Sequence, residues 1–309
     1  MSIPGQYKFK VSNGSRAHTV LSNFPEKDIA AGKWSKIIIL IHGFPDDNTT
    51  FNTLWPGLLE KYPTSKRVLL VAPLQRGYEQ SSVASGPFDY TLRHLAEDIK
   101  NWIDMLTPDH DVPVHLVGHD WGAMAVYKAA SLFPDLIKSA VTMAIPYLGN
   151  VNPLKILLFC PLQIYYSSYF ITMHLASLYR SKFTSQDNYE YLDSLWRFWS
   201  PQWNFSAEDI ASTKHTLSQP NIIDSTSAYY RSYTSNLRKE RFPVVDFDQV
   251  PTLILAGQLD GCMYHKMFDL MQPSSNAITY KVPNVGHFMH REDPAQFKEL
   301  IINWIERHS

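Results

Sequence analysis

Residues 114–126, Val-His-Leu-Val-Gly-His-Asp-Trp-Gly-Ala-Met-Ala-Val, constrain the fold more than any other part of the chain. A short apolar run leads into glycine-x-aspartate-x-glycine, and an alanine-rich helical start follows. A sharp strand-to-helix turn strains its apex residue and crowds the positions beside it, so Gly118 and Gly122 remove side chains that would clash there. The pattern predicts an elbow that lifts Asp120 clear of a strand end, with the next backbone N–H opening a helix and ready to hold an anion. An aspartate of ordinary pKa, roughly 4, is ionised at neutral pH and needs no base before attacking saturated carbon. Asp120 is therefore the candidate nucleophile. A plain turn aspartate is the competing reading, and the surrounding motifs decide against it.

The remaining apolar runs repeat the strand half of that unit. Residues 37–41, 68–72, 140–145 and 252–256 are almost wholly apolar, as buried central strands are, and 278–282 follows as a further strand. Helical spacing separates several of them; Leu92, Leu95, Ile99, Trp102, Ile103 and Leu106 share one face. Residues 8–23 read as an opening pair of strands around a turn at Asn13 and Gly14. Alternation of this kind predicts a mostly parallel sheet covered on both faces, with ligand chemistry at the carboxyl ends of its strands. From 147 to 241 the apolar strand runs vanish and aromatic residues crowd into helical stretches. Three parts follow: a first core part, 1–146, an inserted helical cap, 147–241, and a second core part, 242–309.

Charge and cysteine content narrow the function. With 309 residues, a formal net charge of −1 and no sustained basic run, composition carries no electrostatic footprint for nucleic acid or an anionic membrane. A small-molecule partner is expected. Cys160 and Cys262 are too few for a disulfide framework. The first ten residues lack a basic region followed by an apolar one, so a cytoplasmic location is expected. Residues 154–178 are apolar but broken by Pro161, Gln163, Ser167, Ser168 and His174, short of the roughly 18 uninterrupted apolar residues of a span. They read as aromatic-lined helix, with no integral membrane segment.

A carboxylate that opens a substrate becomes an ester, and turnover then requires a general base to hydrolyse it. Among 12 histidines, His287 fits, because it lies five residues beyond the last apolar strand, where a loop returns to the catalytic edge. Asp260 follows the strand at 252–256 and suits the acid that orients the histidine, whereas Asp246 and Asp248 precede that strand. The chain order is nucleophile, acid, histidine. Backbone N–H groups of Phe44, after His42 and Gly43 at a strand end, and of Trp121, after the nucleophile, suit an oxyanion. His42 and His119 are assigned to packing and loop hydrogen bonding.

These motifs, His42-Gly43-Phe44-Pro45, Gly118-His119-Asp120-Trp121-Gly122, Asp260 and Gly286-His287-Phe288, closely resemble the α/β-hydrolase-fold epoxide hydrolases, relatives of the haloalkane dehalogenases. The resemblance implies an α/β-hydrolase fold with a cap, conversion of an epoxide to a vicinal diol through an aspartyl ester, and no metal or organic cofactor. It also implies two cap tyrosines that protonate the epoxide oxygen. Tyr230, in Tyr229-Tyr230-Arg231, and Tyr166, in Tyr165-Tyr166-Ser167-Ser168-Tyr169, match those positions, with Tyr165 and Tyr169 as substitutes for Tyr166. Trp203 and Trp121 are the expected substrate-lining residues. Phe44 stands where a dehalogenase commonly carries asparagine, which favours epoxide over halide chemistry. Asp46 replaces a frequent glutamate and receives no role. The alternatives are a dehalogenase using the same residues and a ligand-binding protein without chemistry.

Overall fold

The computed structural model describes residues 3–29, 32–86, 88–149, 151–236, 242–271 and 274–309. Eight strands form one sheet in the order β1-β2-β4-β3-β5-β6-β7-β8. They are β1 (Tyr7–Asn13), β2 (Arg16–Ser22), β3 (Lys36–Ile41), β4 (Val68–Pro73), β5 (Val114–His119), β6 (Ser139–Met143), β7 (Thr252–Gly257) and β8 (Ala277–Val282). The first two pair antiparallel with each other, and β2 pairs antiparallel with β4; from β4 to β8 every neighbour is parallel. In β3, β4, β5, β6 and β7 nearly every residue is buried. That burial is the physical reason their sequences run apolar without alternation.

Helices cover both faces. The core contributes α1 (Glu26–Ile29), α2 (Trp55–Lys61), α3 (Leu92–Leu106) and α4 (Trp121–Leu132) before β6. Thr91 caps α3 by accepting from the His94 N–H, and the apolar stripe read from the sequence is the face buried against the sheet. Between β6 and β7 the described residues hold helices and no strand: α5 (Pro153–Phe159), α6 (Leu162–Tyr166), α7 (Tyr169–His174), α8 (Ala176–Lys182), α9 (Glu190–Trp199), α10 (Ala207–Ser218) and α11 (Ile222–Asn236). The Ser206–Asp209 capping box opens α10. After β8 come α12 (Met289–Glu292) and α13 (Pro294–Arg307), the latter with proline in its first turn. Among the described residues no helix is long and apolar enough to cross a membrane.

Two hydrophobic clusters sit on opposite faces of the sheet. Leu40, Trp55, Val117, Phe297 and Ile301 belong to one. The other joins Ile39, Leu116 and Trp102 to the cap aromatics Trp196, Trp199, Tyr229 and Tyr230. Cap and core thus share one apolar interior. The carboxyl ends of β3, β5 and β7 open toward it, and the candidate site lies there.

Candidate active site

Asp120 is the apex between β5 and α4, with φ 51° and ψ −119°. That geometry strains a residue bearing a Cβ, and the surrounding packing over-determines it. A Cβ on Gly122 would run into the Ile41 carbonyl, and one on Gly118 into the carbonyl of Gly122. Oδ1 of Asp120 accepts from the Phe44 N–H at 2.8 Å, and the Trp121 N–H also favours the carboxylate. The Phe44–Pro45 peptide is cis. His42 fastens this loop: its Nδ1 donates to the Gly43 carbonyl at 3.0 Å and its Nε2 accepts from the Gln75 N–H at 3.0 Å. Burial lowers its pKa to about 4, so the neutral tautomer these bonds require persists.

The nucleophile candidate does not keep an ordinary carboxylate pKa. Burial pushes Asp120 up to about 6, against the opposing pull of His287 and of the Phe44 and Trp121 N–H groups. Ionisation at neutral pH survives, with less margin than an exposed aspartate has. Behind it, His287 Nε2 lies 3.7 Å from Asp120 Oδ2, an ion-pair distance too long for a hydrogen bond. Nδ1 of His287 donates to Asp260 Oδ2 at 2.9 Å, and Asp260 Oδ1 accepts from the N–H groups of Cys262 (2.6 Å) and Met263 (2.9 Å). Burial disfavours the imidazolium, yet Asp260 and then Asp120 outweigh it and raise the His287 pKa. His119 Nε2 donates to the His287 carbonyl at 2.9 Å, so its role is to hold the histidine loop.

A cavity of about 210 Å³ opens above the elbow, lined by Asp120, Trp121, Tyr169, Tyr230, Cys262 and further apolar side chains. A wider surface depression of about 830 Å³, bordered by Pro113, Lys138 and Pro251, lies at the amino ends of the strands, the wrong edge for the elbow. Tyr230 is fully buried, and its ring meets Trp121, Phe44 and Phe170 edge-on at 5.1, 5.4 and 4.9 Å. Its hydroxyl has no hydrogen-bond partner of good geometry. Burial and then the Asp120 charge hold that phenol well above its ordinary pKa, so it stays a donor.

Two expected residues stand elsewhere. Tyr166 is absent from the cavity wall and packs edge-on against Phe198 and Tyr264 at 5.8 and 5.9 Å; Tyr169 lines the cavity in its place. The helix breaks at Ser167 and Ser168, between α6 and α7, and that break turns Tyr169 inward. Its hydroxyl reaches Cys262 Sγ at 3.5 Å, and its ring meets Tyr230 at 5.6 Å. Trp203 is also absent from the cavity wall: it stacks on Trp196 at 5.4 Å, with the Arg291 guanidinium over both rings. Among the described residues, the donor atoms of Asp120, Cys262 and His287 are the one group within 4.8 Å that offers metal ligands, and two of these belong to the proton and ester chemistry considered below.

The family model for the alpha/beta hydrolase fold matches residues 36–294. The chain belongs to the α/β-hydrolase family. Within it, the chain is similar to human epoxide hydrolase 4, 28% identical over 289 residues that cover 91% of this chain and 75% of the relative. A Bacillus subtilis AB hydrolase superfamily protein is 25% identical over 274 residues, 87% of this chain and 90% of that one. Among solved structures, an epoxide hydrolase from Vigna radiata superposes with TM-score 0.75 at 18% identity, covering 99% of this chain and 100% of the other. Epoxide hydrolase I of potato gives TM-score 0.73 at 18% identity, covering 98% and 99%. At these identities the structural likeness speaks for the fold.

This α/β-hydrolase also fastens its cap through residues that the sequence does not single out. Asp46 and Asp47 are buried at the end of the Phe44 loop. Thr213 of α10 donates to Asp46 Oδ1 at 3.1 Å, while Ser212 and Thr216 donate to Asp47 Oδ2 at 2.7 and 2.8 Å. At the end of α9 the Trp199 carbonyl accepts from the Gly261 N–H (3.1 Å) and the His287 N–H (3.0 Å). Ser200 Oγ accepts from the Phe288 N–H at 3.1 Å and donates to Glu292 at 2.7 Å, and Glu292 also accepts from the Gly286 N–H at 2.8 Å. The acid-bearing and histidine-bearing loops are thus both tied to one cap helix. The adjacent aspartates after Pro45 were the one sequence sign of such a clamp.

Proposed function

We propose that the protein is an epoxide hydrolase working through a covalent Asp120 ester. The observation that carries this reading is the pairing, across one small apolar cavity, of an ionisable elbow carboxylate with the unpartnered hydroxyl of Tyr230. A buried nucleophile and a buried proton donor facing each other suit a strained three-membered ether, whose departing oxygen is otherwise a very basic alkoxide. Oδ1 of Asp120 is already engaged by Phe44, so Oδ2 attacks an epoxide carbon. The carbon–oxygen bond breaks, its electron pair moves to the ring oxygen, and Tyr230, with Tyr169 beside it, supplies the proton.

The ester then presents its carbonyl, the former Oδ1, to the N–H groups of Phe44 and Trp121. His287 Nε2 takes a proton from water, whose oxygen adds to the ester carbon, and those N–H groups hold the resulting oxyanion. Collapse releases the vicinal diol, the leaving oxygen taking the proton from His287. The second water proton, left on the Asp120 carboxyl, returns to the Tyr230 phenolate, which restores the phenol and the Asp120 carboxylate with one water-derived oxygen. Esterification also removes the Asp120 charge that helps raise the His287 pKa, which favours the neutral imidazole at the step that uses it as a base. Asp260 holds the ring in the tautomer required. Residues 1–146 and 242–309 carry the reacting core and 147–241 the cap tyrosines.

The test is intact mass of His287→Gln after exposure to epoxides and haloalkanes. A gain equal to a whole epoxide, lost when Asp120→Ala is added, is the expected result. A gain equal to a haloalkane less hydrogen halide would move the assignment to dehalogenase. Normal epoxide turnover by Asp120→Ala would refute the mechanism.

A further inference from the structure

Helix α5 has its amphipathicity inverted. Ile156 packs inward, while Leu154, Leu157, Leu158 and Phe159 point to solvent. With Ile164 and Tyr165 of α6 these side chains are 55–72% exposed, and Ile171 and Leu175 extend the patch along the next helix. Nine of the sixteen exposed large apolar side chains among the described residues fall within the 22 residues 154–175. A water-facing surface gains nothing from such a concentration, so it marks a place where something apolar is met.

Charge selects the occupant. Between Asp135 and Asp187 the sequence has no acidic residue, although the whole chain is near neutral. Lys155 projects from the patch itself, and Lys266 lies beside the end of α5, near Cys160. Neither has an ion-pair partner among the described residues; the neighbouring Asp269 is taken by Lys281. A two-fold contact between copies would set the unpaired lysines of this rim against one another. An anionic bilayer surface would attract it, and the apolar side chains would enter the headgroup boundary. The helices that expose the patch also line the substrate cavity on their inner side, through Gln163, Ser167, Tyr169 and Phe170.

From this we infer that the α5–α7 face of the cap is a peripheral docking surface for anionic lipid bilayers. Lys155 and Lys266 meet the headgroups and Leu157, Leu158 and Phe159 the acyl boundary. The helices that line the cavity then lie against the phase in which apolar substrates dissolve.

Co-sedimentation of the full chain with phosphatidylcholine vesicles, with and without phosphatidylserine, tests this without reference to any reaction. Binding to the anionic vesicles is expected, weakening as salt rises. Leu157→Glu with Leu158→Glu should lower partitioning at least about tenfold, and Lys155→Glu by about threefold on anionic vesicles only. Unaltered thermal melting of these exposed-site variants keeps the comparison fair. Wild-type protein that stays in solution with both vesicle types, or a double variant that binds as the wild type does, would overturn the inference. A wild-type dimer in light scattering that the double variant dissociates would assign the face to a second copy instead.

Discussion

The elbow edge and the cap wall face each other across the same cavity, yet they are built on different principles. At the elbow, Asp120 and Asp260 are held by backbone N–H groups of loops that leave parallel strands, and the His287 N–H is held by the Trp199 carbonyl at the end of α9. On the cap wall, Tyr169 and Tyr230 are held by ring packing, and one hydroxyl lacks a partner. Backbone-anchored groups have their positions set by topology; ring-packed groups have theirs set by where short helices break.

The largest effect should come from the elbow. Asp120→Ala should lower epoxide turnover by at least about 10⁴-fold, read as initial diol formation, while His287→Gln should stop turnover yet accept one substrate per chain. A smaller loss is expected from the cap wall: Tyr230→Phe should cost roughly 10²-fold and Tyr169→Phe about tenfold or more. Tyr166→Phe should stay within about twofold. Equal losses at Tyr166 and Tyr169 would break the contrast between the two tyrosines.

Titration sharpens the same comparison. Asp120 has a folded-state pKa of about 6, above its ordinary 3.8, so the native state holds its proton more tightly than the unfolded chain does. Stability is therefore lost as pH rises between those values. Asp120→Asn should melt higher than the wild type at pH above about 7, by the equivalent of roughly 1–3 kcal/mol. Below about pH 4 the difference should vanish. In the active protein, single-turnover alkylation should rise with pH through about 6, following the Asp120 carboxylate. The smallest effect belongs to the ties between the two regions: Ser200→Ala should lower turnover only about two- to fivefold, with ligand affinity little changed.

Strand ends were legible in the sequence because apolar runs report burial and glycines report crowding. That is how Asp120, Asp260, His287 and the Phe44 and Trp121 N–H groups are found from spacing and chain order. The cap was legible only in outline. Tyr166 and Tyr169 stand one helical turn apart, and no periodicity reveals that the chain breaks at Ser167 and Ser168 between them. Trp203 is expected at the cavity from the resemblance of Ser200-Pro201-Gln202-Trp203 to a family cap motif; its indole instead stacks on Trp196 with the Arg291 guanidinium over it. Asp46 and Asp47 look like turn residues, and their partners in α10 are more than 160 positions away.

The carbonyl of Trp199 accepts from both Gly261 and His287. A cap hinged at that point would dismantle its own reaction centre each time it opened. Breathing that admits substrate must therefore leave the end of α9 in place, and α6 shares that constraint, because Gln163 donates to the Cys262 carbonyl at 3.0 Å and accepts from the Tyr264 N–H at 2.8 Å on the same acid-bearing loop. Anyone grafting a foreign cap to change substrate range should carry Trp199, Ser200 and Gln163 across with their geometry intact.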